Sequence, residues 1–214
     1  MNHLVITGGS GGLGRAIIEA FVAPPWQIAA PSRAELDVTD SAAVRSFFKS
    51  RPVDLLVCAA GIIRDAPIAR LNESAWDEVL AVNYQAAAAC AASALPGMIA
   101  RGRGHMVFIS SYSALHPPLG QVAYATAKAA LLGLTTSLAR DNGRHGVRVN
   151  AILPGFMETR MTDFVSEKRK EEVLSEHALG RFNTPHTVAR FIRHLHEGLT
   201  HTSGQVFQLD SRIS

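Results

Sequence analysis

Five glycines fall within the eight residues Thr7-Gly-Gly-Ser-Gly-Gly-Leu-Gly14, and what flanks them constrains the fold more than any other feature of the chain. The run follows the apolar strand-like stretch His3-Leu-Val-Ile6. It leads into a segment from about Gly12 to Val22 with Leu13, Ala16, Ile17, Ala20 and Phe21 at helical spacing. Strand, glycine turn and helix in that order make a cradle for a dinucleotide pyrophosphate. Gly8 lets the chain turn sharply, while bare backbone at Gly12 and Gly14 lets a phosphate and the strand approach the helix closely. The helix N-terminus then offers unpaired N–H groups and a partial positive charge. The candidate phosphate-side residues are Thr7, Gly8, Ser10, Gly12, Leu13 and Gly14. Their spacing is T-G-x-x-x-G-x-G, not G-x-G-x-x-G.

Strand-like and helix-like segments alternate along all 214 residues, which predicts a parallel sheet covered by helices on both faces. The later strands are Gln27–Ala30, Val53–Ala59, His105–Ser110, Arg148–Leu153 and Gln205–Leu209. Asp40 or Thr39 caps a helix over Ser41–Lys49, and Asn72 or Ser74 opens a long helix through Ala100, broken near Pro96-Gly97. Further helices cover about Ala123–Asn142 and the stretch from Thr184-Pro185 to near Glu197. Only Pro-Ser-Arg-Ala-Glu-Leu separates Ala30 from Asp37, too little for a parallel crossover, which needs roughly a dozen residues or more. The expected fold is therefore a Rossmann-type, doubly wound, three-layer α/β/α domain spanning residues 1–214. It has six strands, one fewer than usual, with Gln27–Ala30 at the sheet edge.

A composition of 47% hydrophobic and 18% charged residues is that of a globular protein, and the net charge of +3 is spread without a nucleic-acid motif. Cys58 and Cys90 read as small core residues of a reducing compartment. The nine histidines show no metal-ligand spacing, so no metal is expected. With no leader before the first strand and no uninterrupted apolar run of about eighteen residues, the expectation is a cytoplasmic protein without a membrane span.

Ser111, Tyr124 and Lys128 form a second constellation. Tyr124 and Lys128 lie four apart on a helix and share a face, and Ser111 sits at the exit of the strand His105–Ser110. Ligands gather at the carboxyl ends of strands in open α/β sheets. A phenol titrates near pH 10 unaided. A neighbouring ammonium is expected to lower that value, and a shift of about three units takes about 4 kcal/mol. The serine hydroxyl can hold a substrate oxygen while Tyr124 gives or takes the proton.

Taken together, Thr7–Gly14, Asp37-Val-Thr-Asp40, Asn83, Ser111, Tyr124-Ala-Thr-Ala-Lys128 and Val147-Arg-Val-Asn-Ala-Ile-Leu-Pro-Gly-Phe-Met-Glu-Thr159 resemble the short-chain dehydrogenase/reductase family over nearly the full length. Within it the chain looks most like 3-oxoacyl-acyl-carrier-protein reductases. The resemblance implies that Asn83 props a water in a proton relay through Lys128, which also grips the nicotinamide ribose. It implies that Pro154, Gly155, Met157 and Thr159 border the nicotinamide, and that Asp37, Val38, Ala60 and Gly61 lie on the adenine side. It makes Thr159 to about Ala178 a substrate lid, with Phe156, Met157, Met161 and Phe164 as apolar contacts. The chain departs from the pattern at Cys58-Ala-Ala-Gly61, where relatives carry N-N-A-G, and at its Val-Phe-Gln-Leu-Asp-Ser ending.

No acid ends the second strand, where an NAD site keeps one; Ser32 and Arg33 follow instead and suit a 2′-phosphate. NADP(H) is therefore expected over NAD(H), with Glu35 as the counterweight. The expected activity is hydride transfer to a carbonyl. Two alternatives stay open: a sugar-nucleotide epimerase or dehydratase, which shares Y-x-x-x-K, and a non-catalytic dinucleotide sensor. The small faces of Ala86–Ala94 and Ala123–Ala139 suit a homodimer or homotetramer. An acyl carrier protein is a candidate partner through Arg101, Arg103 and Arg144.

Overall fold

A computed structural model describes residues 1–213. Its sheet has six parallel strands in the order β2-β1-β3-β4-β5-β6, namely β1 Asn2–Thr7, β2 Trp26–Ala29, β3 Leu55–Cys58, β4 Gly104–Ile109, β5 Val147–Leu153 and β6 Val206–Gln208. The chain leaves β1 for the β2 edge and returns on the other side of β1 as β3, so the strand order reverses between β1 and β3. Alternate strand residues feed two cores. Leu4, Ile6, Leu55, Val57, Val107 and Ile109 pack with helices α1 (Gly12–Phe21) and α7 (Pro185–Glu197). Val5, Leu56, Cys58, Met106 and Phe108 pack with α2 (Ser41–Phe48), α4 (Ala86–Ala100) and α5 (Val122–Asn142). Burial on both faces explains the continuous apolar runs of these strands.

The missing helix–strand unit leaves β2 as the edge, as the short Ala30–Asp37 connection requires. In its place an open groove of about 780 Å³ runs past Gln27, Ala29, Leu36, Phe47 and Arg51; none of the expected site residues lines it. Asp40 caps α2 through Ala42 and Ala43 N–H, Asn72 caps α3 (Glu73–Leu80) through Ala75 N–H, and Thr184 caps α7 through Thr187 N–H.

Two expectations differ from the structure. The long helix does not break at Pro96, which lies inside α4; Pro96 and Ala92, whose carbonyl loses its N–H partner, are both exposed, on the helix face where such a loss costs least. The interruption is instead a π-helical turn at Ala81–Gln85 between α3 and α4. A further helix, α6 (Glu167–Ser175), lies in the segment expected to be only a lid; Ser166 caps it through Arg169 N–H. The helices Glu73–Ala100 and Val122–His145 each hold an 18-residue window of mean hydropathy 1.2, long and apolar enough to cross a membrane. Both cover the sheet here, with Cys90, Ala91, Met98 and Leu131 buried against it, and that core role accounts for their apolar character.

Candidate active site

At the carboxyl end of β1 the chain turns at Gly8, whose φ of +74° belongs to the left-handed region. A β-carbon there would stand 2.7 Å from the backbone of Ala59 and Ala60, so the turn also needs glycine for its approach to the end of β3. Thr7 Oγ1 accepts from Ala60 N–H and ties the same two segments together. Gly11 precedes α1 with no side-chain cap, and Ser10 and Gly11 are exposed. The first-turn N–H groups of α1 thus have no protein side chain on them, which fits a phosphate. The loop after β5 closes this region from the other side. Thr159 lies over Gly12, its methyl 3.1 Å from where a β-carbon of that glycine would be. Thr162, which sequence reasoning missed, holds the loop: its hydroxyl donates to the Met157 and Thr159 carbonyls and accepts from Thr159 N–H. A bare glycine turn, an uncapped helix end and a threonine loop facing them fit a dinucleotide pyrophosphate.

Deeper in the crevice stand the groups able to move a proton. Ser111 begins a short 3₁₀ turn, Tyr112–Ala114, directly after β4, and its Oγ accepts from Ser113 N–H. Tyr124 and Lys128 are buried on α5. Lys128 Nζ donates to the Ile109 carbonyl at 2.8 Å and lies 5.6 Å from the Tyr124 ring centroid. Asn83 is buried in the π-helical turn, where its Nδ2 donates to the Val79 and Ile62 carbonyls and its Oδ1 accepts from Ile62 N–H. Gly61 joins the two. A β-carbon on it would stand 2.7 Å from Asn83 Oδ1, so a side chain there would displace that amide, while Lys128 Nζ lies at an ordinary contact distance of 3.6 Å.

The electrostatics differ from expectation. Burial pushes the Tyr124 phenol up to about 12; the Ser111 hydroxyl opposes this and the nearby Asp65 carboxylate adds to it. Burial brings the Lys128 ammonium down to about 8. The expected lowering of the phenol by Lys128 is thus absent in the protein alone, where the ammonium is engaged by Ile109 and desolvation outweighs it. What results is a protonated phenol over the whole neutral range, beside a cation that titrates close to it.

The remaining expected residues divide. Pro154 is buried and Gly155 part-buried at φ +81°, while Met157 packs on the α1/α7 core and Phe156 meets Phe182 at a 45° tilt, ring centroids 4.6 Å apart. Met161 and Phe164 are exposed. Val38 packs on the α2 side, and Asp37 accepts from Thr39 N–H and Oγ1, which holds its carboxyl below its usual range. Arg33 is exposed, but the Ser32 hydroxyl is already committed. Ser32 N–H and Oγ both donate to Glu35 at 2.8 Å, so the carboxylate sits where an incoming ribose or phosphate would meet this loop. Arg101 and Arg103 flank the start of β4, at the opposite end of the sheet from Ser111, and both pair with the buried Asp54.

The chain is similar to known reductases and dehydrogenases. A family model described as enoyl-(acyl carrier protein) reductase matches residues 15–211. A 3-oxoacyl-[acyl-carrier-protein] reductase of Thermotoga maritima is 38% identical over 162 residues, 75% of this chain and 66% of that protein. A mouse (3R)-3-hydroxyacyl-CoA dehydrogenase is 36% identical over 168 residues, 75% of this chain and 65% of that one. The matches thus span just under two thirds of these two relatives. An acetoacetyl-CoA reductase of Synechocystis is 33% identical over 202 residues, 87% of this chain and 84% of the relative. Among solved structures, one assigned as an NAD(P)-dependent gluconate 5-dehydrogenase from Beutenbergia cavernae, with NADP at low occupancy, superimposes with a TM-score of 0.93 at 29% identity. That match covers 98% of this chain and 95% of the other.

Proposed function

Since the chain belongs to the short-chain dehydrogenase/reductase family, we propose that it is an NADPH-dependent carbonyl reductase whose general acid is Tyr124. The observation that carries this reading is the buried Tyr124–Lys128 pair at the end of β4 beside Ser111, with Asn83 and Lys128 meeting across Gly61. A reduced nicotinamide supplies hydride to the carbonyl carbon. Ser111 orients the carbonyl oxygen, and Tyr124, still protonated at neutral pH, delivers a proton to it. Lys128 holds a positive charge beside the phenolate that forms, and Asn83 extends the proton path past Gly61. The glycine turn with the α1 N-terminus would hold the pyrophosphate, and Pro154, Gly155 and Thr159 would border the nicotinamide.

A 3-oxoacyl thioester is the substrate class we favour, on the strength of the relatives named above. Dimerisation through the outer faces of α4 and α5 goes with it, because Ala92, Ala129 and Gly133 leave those faces flat and exposed; a monomer in sedimentation at micromolar concentration would remove that part. The test of the reading is oxidation of NADPH and NADH with acetoacetyl thioesters, quinones, sugars and steroids. Turnover is expected with a 3-oxoacyl thioester, and Tyr124→Phe should lower kcat at least about 100-fold while cofactor affinity stays within about twofold. A Tyr124→Phe protein that keeps full turnover would refute the assignment of the acid. A parent protein that binds dinucleotide and reduces nothing would favour the sensor.

A further inference from the structure

We propose that Arg212 is a positioning residue for the substrate of the proposed reductase site, fixing the distance between the serine loop and the segment that ends α6. Its guanidinium is almost enclosed, with the side chain 8% exposed, and it faces three segments that border the crevice. Its Nε and Nη2 donate to Asp210 Oδ2, whose side chain is fully buried. Its flat face lies 3.3 Å from the Tyr112 ring centroid, and Tyr112 in turn stacks on His116. Its Nη1 stands 4.0 Å from Glu176 Oε2, just past α6. An Arg held by both fork and face has little freedom left, and a lysine cannot make the same pair of contacts.

Each contact reaches a part of the active site. Tyr112 is the residue after Ser111, in the turn that Ser111 Oγ caps. Asp210 presses on Gly155, where a β-carbon would stand 2.5 Å from Asp210 Cβ, so the same carboxylate that holds Arg212 also backs the loop after β5. Asn183 fastens that loop to the same segment, donating to the carbonyls of Pro154 and Leu209. Residues 211–212 pair antiparallel with the end of α6: His177 bridges Arg212, and Ala178 N–H donates to the Ser211 carbonyl. Phe182, packed against His177, carries the contact on to Phe156. Arg212 and its partner Asp210 therefore join segments near residues 112, 155 and 176.

The test separates this clamp from the reductase reading on which it rests. Removing Arg212 alone strands a buried carboxylate, so the variants are Arg212→Lys, which keeps the charge, and Asp210→Asn with Arg212→Gln, which removes the pair together. Hydrogen exchange should rise in residues 112–116 and 174–179 together in both variants, more in the double one. NADPH affinity should stay within about twofold. KM for the carbonyl substrate should rise roughly fivefold or more with kcat changed less, and Arg212→Lys should fall between parent and double variant. Exchange that rises in only one segment, or KM unchanged in the double variant, overturns the proposal. A parent protein with no carbonyl turnover overturns the reductase reading and the substrate role with it, while the exchange result still decides whether the clamp exists.

Discussion

Tyr124 and Lys128 sit one helical turn apart, and burial drives their titrations away from each other: the phenol up to about 12 and the ammonium down to about 8. The sign of the pH effect follows. The proposed reaction needs the phenol protonated, and the phenol is protonated at every pH below about 12. It also needs the Lys128 charge to stabilise the phenolate left behind, and that charge is lost as pH rises through about 8. The kcat of reduction should be level near pH 6–7 and fall on a single limb with an apparent pKa near 8; a rate level to pH 10 would mean that Lys128 does not act through its charge. Glu35 offers a second measurement at this scale. Its carboxylate, kept ionised by Ser32, would meet a 2′-phosphate with like charge. Glu35→Gln should shift the NADPH-to-NADH affinity ratio toward NADPH by roughly fivefold, less at high salt. A ratio that does not move would take Glu35 out of cofactor choice.

At the scale of elements, the π-helical turn Ala81–Gln85 aims Asn83 inward, and three hydrogen bonds hold it there. Asn83→Ala takes the Asn83 amide from the part-buried Ile62 backbone groups and the Val79 carbonyl, a loss of about 2–4 kcal/mol, or roughly 5–15 °C in Tm for a chain of this size. If kcat measured well below that Tm is unchanged, Asn83 serves only the helix; a fall of tenfold or more supports the relay. The elements that sequence reasoning recovered carry an apolar period or a distinctive cap: β1 and α1 around the glycine turn, the capped α2, α3 and α7, and β2 as edge because the next connection is too short. What it missed lacks such a mark. α6 buries only Val173 and is held by Arg169–Glu172 and Lys170–Glu167 pairs, so it shows no apolar stripe. The π turn adds a residue without changing polarity. Ser32 was expected to face a phosphate, but its tie to Glu35 depends on a loop conformation that composition does not encode. The Ser111, Tyr124 and Lys128 constellation was legible because one motif spacing fixes all three on adjacent elements. The contacts of Arg212 were not, since they reach Tyr112, a hundred positions back, and Glu176 in a different segment.

The whole molecule keeps its chemistry at the carboxyl ends of the strands and a second buried polar cluster at the other end. There His105 and His196 stack with ring centroids 5.4 Å apart and face each other Nδ1 to Nδ1 at 3.2 Å. Asn150 fixes the protons: its Nδ2 donates to Thr202 O and its Oδ1 accepts from Gln205 N–H, so the same amide N donates to His105 Nε2. His105 then carries its hydrogen on Nδ1 and gives it to His196. Protonating the pair places two hydrogens between the rings, beside the Arg148 guanidinium and in a site that excludes water. Burial first, then Arg148, lowers both imidazoles, His196 to about 4. Trp26 packs on the outer ring, and the carboxylates of Glu197 and Asp54 pull the other way without reversing the shift. An unfolded chain takes up these protons near pH 6.5, whereas the folded His196 does so only near pH 4. Stability is therefore full above pH 6.5 and declines as pH falls toward 4, by about 2 kcal/mol from His196 alone between pH 6.5 and 5, or roughly 4–8 °C in Tm. His196→Phe keeps the contact with Trp26 but removes the shared proton. It should lower Tm at pH 7, because the His105 Nδ1–H is left without an acceptor, and should flatten the acid limb. If thermal melts of the two proteins keep the same slope between pH 6.5 and 5, the acid sensitivity lies in the carboxylates and not in this pair.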